Sequence, residues 1–275
     1  VMKNCLGLAT CFYPDSSPER WETAAKAGFT DAEIDTNNRL PAEEICRDSE
    51  KIFADLKAGG LTPASFHLPF GTAWDISAAD AGVRVRALEG LESLLQWAGN
   101  KGIGTAVLHP SFEPIDSAER ADRLAFASES IRRLGEAAAN CGVRIAVENL
   151  PRTCLGNCSG ELAELTGNGM YAGVCFDVNH LLLESHENFV RKAGHLICTT
   201  HLSDYDRKDE KHWFPGDGCI DWAELRALLE GAGYTGRYLF ELGENASPSL
   251  GRPFTPRELA EKFCALTGLP LPSGN

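Results

Sequence analysis

Long hydrophobic runs are missing from this chain: no stretch of its 275 residues approaches the roughly 18 apolar residues of a membrane helix, and no basic-then-apolar leader opens it. Membrane insertion and export are therefore not expected, and a cytoplasmic location is. Long Ser/Gly or Pro tracts, charge blocks and internal repeats are absent too, so residues 1–275 are expected to form one domain without a linker. Val1 ahead of Met2 reads as a cloning remnant. Basic residues are scarce, with 26 Lys and Arg against 39 Asp and Glu, a formal charge of −13. Such a surface does not gather a polyanion, so nucleic acid is not an expected partner. The ten cysteines lack the paired spacing of a zinc module: Cys154 and Cys158 have no second Cys/His pair to complete them. Cys5, Cys175 and Cys198 fall inside apolar runs, where a thiol is a small core side chain, and reduced cysteines are expected throughout. The first apolar run is followed by Thr10 to Pro14 rather than by the Gly-rich turn of a nucleotide-binding open sheet.

What the chain does contain is alternation. Short runs rich in Val, Ile, Leu, Phe and Ala read as strands buried on both faces, and between them lie stretches with helical spacing. Ile45, Ser49, Ile52 and Leu56 share one helical face, as do Leu88, Leu91, Leu95 and Ala98, and then Leu124, Ala127, Ile131, Leu134 and Ala138. Helix boundaries are marked by Ser17–Pro18, by capping boxes from Asp221 to Glu224 and from Thr255 to Glu258, and by Gly28, Gly59, Gly102 and Gly142. The strands are expected near Cys5–Ala9, Ala32–Asp35, Pro63–His67, Ala106–His109, Arg144–Glu148, Gly173–Asp177, Ile197–His201 and Tyr238–Glu241. About eight strand–helix units in a chain of this length predict an α/β protein, a (β/α)8 TIM barrel, with its functional site at the carboxyl ends of the strands.

Those ends are where the chemistry gathers. Six runs close on a metal-ligand side chain: His67, His109, Glu148, Asp177, His201 and Glu241. A lone strand-end carboxylate is most often a helix cap, and a lone histidine a hydrogen-bonded rim residue. Glu148, Asp177, His201 and Glu241, however, end four successive apolar runs, where an unpaired charge costs several kcal/mol. Three carboxylates and an imidazole suit a six-coordinate Mn²⁺, Mg²⁺ or Co²⁺ with positions open for substrate oxygens, zinc being the alternative. A bound cation would also relieve the repulsion among the carboxylates. Glu33 and Asp35, at the end of the second strand, read as helix caps before sugar contacts.

The segments HLP at His67, LHP at Leu108, IAVENLPR from Ile145, FDVNH from Phe176, HLSDYD from His201, HWFPGDGCIDW from His212 and FEL at Phe240 occur in order across nearly the whole chain. In that order and spacing they resemble the xylose-isomerase-like barrels, in particular the sugar phosphate isomerase/epimerase group. The resemblance implies a TIM barrel binding one divalent metal through Glu148, Asp177, His201 and Glu241. It also implies that Glu148 and Glu241 double as acid and base in isomerising or epimerising a small sugar or sugar phosphate through a metal-stabilised enediolate. His67, His109 and His180 would contact the sugar. Either Arg207 or His212 would reach its carbonyl, depending on the direction of counting along the loop, and Trp213 would close over it. Arg152 alone is thin support for a phosphate site, so a free sugar is preferred. Oligomeric state is open; a homo-oligomer is possible, in which Trp74 or Trp213 on a rim loop could be buried by a neighbour.

Two rival chemistries use the same frame. Apurinic endonucleases share the barrel and bind three zinc ions, and residues stand at all the matching places: His67, His109 and Glu148; Glu148, Asp177, His201 and Glu241; His180, Glu210 and His212. The acidic surface, Glu210 where the nucleases use Asp, and the lack of basic loops after the early strands oppose that reading. The other rival is a metal-dependent inosose or polyol dehydratase. A sugar-binding barrel without catalysis would be expected to lose one of the two glutamates, and both are present.

Overall fold

The computed structural model describes residues 5–272; Val1 and Met2, and the expectation attached to them, lie outside that range. Strands and helices alternate in the order β1 (Leu6–Ala9), α1 (Pro18–Lys26), β2 (Phe29–Asp35), α2 (Ala42–Ala58), β3 (Thr62–His67), α3 (Ala81–Asn100), β4 (Thr105–Leu108) and α4 (Arg120–Asn140). They continue with β5 (Arg144–Glu148), α5 (Ser159–Leu165), β6 (Gly173–Asp177), α6 (His186–Ala193), β7 (Ile197–His201), α7 (Trp222–Gly231), β8 (Tyr238–Phe240) and α8 (Pro256–Thr267). The strands pair in parallel as an eight-stranded sheet in the order β7-β6-β5-β4-β3-β2-β1-β8. Its edges meet at the parallel bridge between Leu202 and Phe240, where Leu202 N donates to Leu239 O at 2.8 Å and Glu241 N to Leu202 O at 3.2 Å. This is the expected TIM barrel, a sheet that closes on itself and leaves no free edge.

Alternation along the strands sorts side chains to the two faces. Leu6, Leu8, Ile34, Phe66, Val147, Val174 and Phe176 point outward into the main apolar cluster under the helices, with Leu91, Leu95, Ile131 and Leu134 among the helical contributors. Val107, Ala146 and Cys175 form a separate small cluster inside the ring. The narrow barrel interior accepts only small groups there, which leaves its upper layer to polar side chains.

Local signals explain most boundaries. Ser17 Oγ accepts from Arg20 N ahead of Pro18, Asp221 accepts from Glu224 N, and Thr255 and Glu258 form the reciprocal capping box. Gly28, Gly102 and Gly142 take positive φ after their helices as expected, whereas after α2 it is Gly60, at φ 88°, that turns the chain and not Gly59. Strand β2 starts at Phe29, before the expected Ala32, because Phe29 and Asp31 find partners in neighbouring strands. His109 and Glu241 fall just past the ends of β4 and β8.

The long β7–α7 loop folds around one buried carboxylate. Asp204 accepts from Tyr205 N at 3.0 Å, Gly216 N at 2.8 Å, Ile220 N at 3.1 Å and Trp222 Nε1 at 3.1 Å. Its backbone also pairs in both directions with Trp213. A Cβ on Gly218 would lie 2.2 Å from Tyr205 O and 2.3 Å from Asp204 Oδ1. Gly218→Ala is therefore expected to displace the loop and to destabilise the fold by about 1–3 kcal/mol, read as a lower urea midpoint.

Candidate metal and catalytic site

Closure of the barrel brings the predicted strand ends to one rim. Glu148 ends β5, Asp177 ends β6, His201 ends β7 and Glu241 follows β8, and one ligand atom from each lies within 4.8 Å of the others. His201 Nδ1 stands 3.3 Å from Glu148 Oε1, 3.4 Å from Glu241 Oε2 and 3.9 Å from Asp177 Oδ2. Asp177 Oδ2 and Glu241 Oε2 are buried yet have no hydrogen-bond partner. Two such oxygens facing a third carboxylate and an imidazole nitrogen suit a divalent cation, which would supply the missing partner.

The remaining imidazoles gather around Glu148. Its Oε2 lies 3.2 Å from His67 Nε2 and 3.1 Å from His109 Nε2, and its Oε1 lies 3.3 Å from His180 Nδ1. His180 Nε2 reaches Glu210 Oε2 at 3.2 Å, and His212 Nδ1 lies 3.7 Å from Glu241 Oε2. Three further groups with ligand atoms this close are His67, His109 and Glu148; His67, His201 and Glu241; and His180, Glu210 and His212. The rim thus carries overlapping donor sets, with Glu148 common to two of them.

His67, His109, Glu148, His180, Glu210, His212 and Glu241 line a cavity of about 260 Å³ together with Phe70, Phe112, Leu150, Pro151, Arg152 and Cys154, whereas Asp177 and His201 are not part of its wall. Phe70 stacks on His109 with centroids 4.3 Å apart, and Phe112 is 38% exposed at the mouth. His212 lines the cavity, whereas Arg207 does not: it is exposed, at φ 59°, and interacts with Cys219. Of the two residues expected at the substrate carbonyl, only His212 is brought to the site. Trp213 is half-buried and absent from the cavity wall, its backbone bonded to Asp204. Trp74 is 3% exposed, packed against Gly90 and bonded to Asn38 O, so it is not available to a neighbouring subunit.

Several supporting residues lie within the sequence motifs or escaped them. Asn149 clamps β6, accepting from Asp177 N and donating to Asp177 O, both at 2.8 Å, while its own carbonyl meets His180 Nδ1 at 3.0 Å. Asn179 accepts from Lys211 N and His212 N and so ties the β6 end to the β7–α7 loop. Both asparagines sit one or two positions after a candidate ligand, a spacing that could have singled them out. Neither Glu33 nor Asp35 is a helix cap. Asp35 accepts from Thr10 Oγ1 and Cys11 N, and Glu33 points into the barrel against His201.

Burial and crowding set the protonation of the cluster. Burial pushes the Asp177 carboxyl up to about 6, reinforced by Glu148 and Glu241 and opposed by His180. For Glu148 the upward push of burial is overcome by His201, His109 and His180, which hold it well below the usual carboxylate range. Glu241 is lowered in the same way, chiefly by His201. Burial disfavours the charged imidazoles, yet neighbouring carboxylates raise His67 to about 9 and His180 well above its ordinary value, and Cys175 together with Glu241, Glu33 and Glu148 does the same for His201. In His109 burial prevails and the shift is downward.

The pattern of the xylose isomerase-like TIM barrel family matches residues 21–262. An uncharacterized protein of Methanocaldococcus jannaschii, MJ1311, is 26% identical over 238 residues, covering 82% of this chain and 78% of that protein. The D-psicose 3-epimerase of Agrobacterium fabrum is 26% identical over 235 residues, covering 80% and 77%. Among solved structures, a D-psicose 3-epimerase crystallised in the presence of D-fructose superposes with a TM-score of 0.75 at 20% identity, over 96% of this chain and 99% of that one. A likeness at that identity speaks for the fold alone, but the sequence pattern spans most of the chain: the protein belongs to the xylose isomerase-like TIM barrels.

Proposed function

We propose that this protein is a divalent-metal-dependent epimerase or isomerase of a small sugar, with Glu148 and Glu241 as the proton-transferring pair. The observation that carries the reading is the pair of orphaned oxygens, Asp177 Oδ2 and Glu241 Oε2, converging with Glu148 and His201. A relative named D-psicose 3-epimerase supports the same class of substrate. Glu148, Asp177, His201 and Glu241 would hold the ion, with Mn²⁺, Co²⁺ or Mg²⁺ the best match to their donors. When bound, it would supply positive charge to the substrate oxygens as a proton leaves the adjacent carbon.

In this reading the glutamates act from different sides. β5 and β8 stand three strands apart around the ring, so carboxylates at their ends approach a ligand in the cavity from separate directions. One can remove a carbon-bound proton while the other delivers one to the opposite face, which inverts the centre. His67, His109, His180 and His212 would bind hydroxyls, and Phe70 and Phe112 would cover apolar faces of the ring and exclude water. A cavity of about 260 Å³ falls just below the usual range for drug-sized ligands, about 300–1,000 Å³, and suits a single monosaccharide.

The mouth favours an uncharged substrate. Arg152 is the one Lys or Arg lining the cavity among the described residues. Its guanidinium is already engaged by Glu113 at 2.5 Å, Asp209 at 2.6 Å and Glu210 at 3.0 Å. A phosphate would have to displace carboxylates from it and would meet their repulsion. Assayed with Mn²⁺, Co²⁺ and Mg²⁺, free ketoses are expected to give a kcat/KM at least about tenfold above that of their phosphates, roughly 1.4 kcal/mol of discrimination. Equal or better turnover of the phosphates would remove the free-sugar assignment.

A second reading, phosphodiester cleavage at three metal ions, is favoured by one observation: two further ligand groups, His67–His109–Glu148 and His180–Glu210–His212, share the cavity. Metal content separates the two. About one Mn, Co or Mg per purified chain with turnover of a ketose supports the epimerase, whereas three zinc ions with cleavage of abasic DNA would replace it. A panel of inososes covers the dehydratase in the same experiment.

A further inference from the structure

Glu33 is a fully buried acidic side chain in the barrel. It is 0% exposed, on β2, flanked across the sheet by Ala9 and Ser65. A carboxylate in that position costs several kcal/mol unless something specific holds it, and an apolar side chain would fill the space without that penalty. Its Oε1 lies 2.7 Å from His201 Nε2, also 0% exposed, while its Oε2 has no hydrogen-bond partner. The residue is thus committed to a single imidazole.

That imidazole is the one in the candidate four-ligand set. A histidine can ligate a cation only as neutral imidazole with a lone pair on the nitrogen that faces it. His201 turns Nδ1 toward Glu148, Glu241 and Asp177, and Nε2 toward Glu33. With Nε2 donating to the Glu33 carboxyl oxygen, a neutral His201 carries its proton there and leaves Nδ1 bare. The same hydrogen bond fixes the ring plane and makes Nδ1 a stronger donor.

We infer that Glu33 is a positioning residue that selects the Nδ1-ligating form of His201 and thereby sets the affinity of the site for its divalent ion. The inference rests on the proposed metal role of His201 but on no assumption about the substrate. Glu33 does not line the cavity, and among the described residues its side chain's one hydrogen-bonded partner is His201.

The test is binding of Co²⁺ to metal-free full-length protein, measured by chelator competition and by the visible spectrum of the bound ion, with no turnover involved. Glu33→Gln, which keeps the volume but removes the charge, is expected to weaken Co²⁺ binding about 10–100-fold, with Glu33→Asp recovering part of the loss. Placed on a His201→Gln background, Glu33→Gln should add less than about twofold, because its partner is gone. Unaltered affinity in Glu33→Gln overturns the inference, as does the same fold-loss on both backgrounds, which would mark a general packing role. Should Glu33→Gln fail to fold, Glu33→Asp carries the same comparison. A wild-type chain that binds no Co²⁺ would overturn the metal reading beneath it, an outcome distinct from both of these.

Discussion

Glu148→Gln is expected to lower kcat on the sugar identified by the panel by about 10²–10⁴-fold, the range for loss of a positioned general acid or base. The carboxylate receives three imidazole contacts on its two oxygens, from His67, His109 and His180, and also faces His201. An amide can accept on only one of its two atoms, so the substitution also turns a donor toward at least one of those rings. Loss of turnover alone would therefore not separate proton transfer from metal binding. Exchange with solvent deuterium does: with Mn²⁺ saturating, Glu241 should still exchange the proton of one epimer, while exchange into the other is lost. Full turnover in the loaded variant, or symmetrical loss of both exchange reactions, would end the two-base assignment.

The sequence was most readable where chain chemistry is local. Strands β5, β6 and β7 begin and end where their apolar runs do, because each run is buried on both faces and closes on a charge that must meet the rim. The six strand-end donors were visible as a set: any one of them alone reads as a cap or a rim residue, but carboxylates and imidazoles closing successive apolar runs point to one shared rim. What could not be read was any pairing across the barrel. Glu33 precedes its strand's last residue by two positions and resembles a rim residue until closure sets β2 opposite β7 and aims it at His201. Arg207 and His212 were inseparable by counting because the β7–α7 loop is shaped by Asp204, whose bonds to Gly216, Ile220 and Trp222 draw one end inward. Trp74 looked like a rim aromatic, yet Gly90 on α3 opens a slot for it that only packing reveals. Periodicity specifies which face a residue takes, whereas partners on strands up to four positions away are set by the closure of the ring.

Stripping the metal is expected to reduce turnover by about 10³-fold or more, since Lewis-acid stabilisation is worth several kcal/mol and each 1.36 kcal/mol is a factor of ten. Mn²⁺ or Co²⁺ should restore it. Its rebinding should depend on pH in a direction fixed by the cluster. In the metal-free protein His201 is held protonated, its pKa raised well above the ordinary value, while burial and the neighbouring carboxylates push Asp177 up to about 6. A cation needs His201 neutral and Asp177 ionised, so it competes with protons and affinity must rise with pH. At pH 7 Asp177 is largely ionised already, and His201 should release about one proton per ion bound. As the pH is lowered, affinity should then fall about tenfold per unit, and more steeply below pH 6, where Asp177 also carries a proton. Titration calorimetry of Mn²⁺ in two buffers of different ionisation enthalpy measures that release directly. Binding that is indifferent to pH between 6 and 8 would mean that His201 is not displaced, and the ion would have to sit elsewhere among the rim's donor sets.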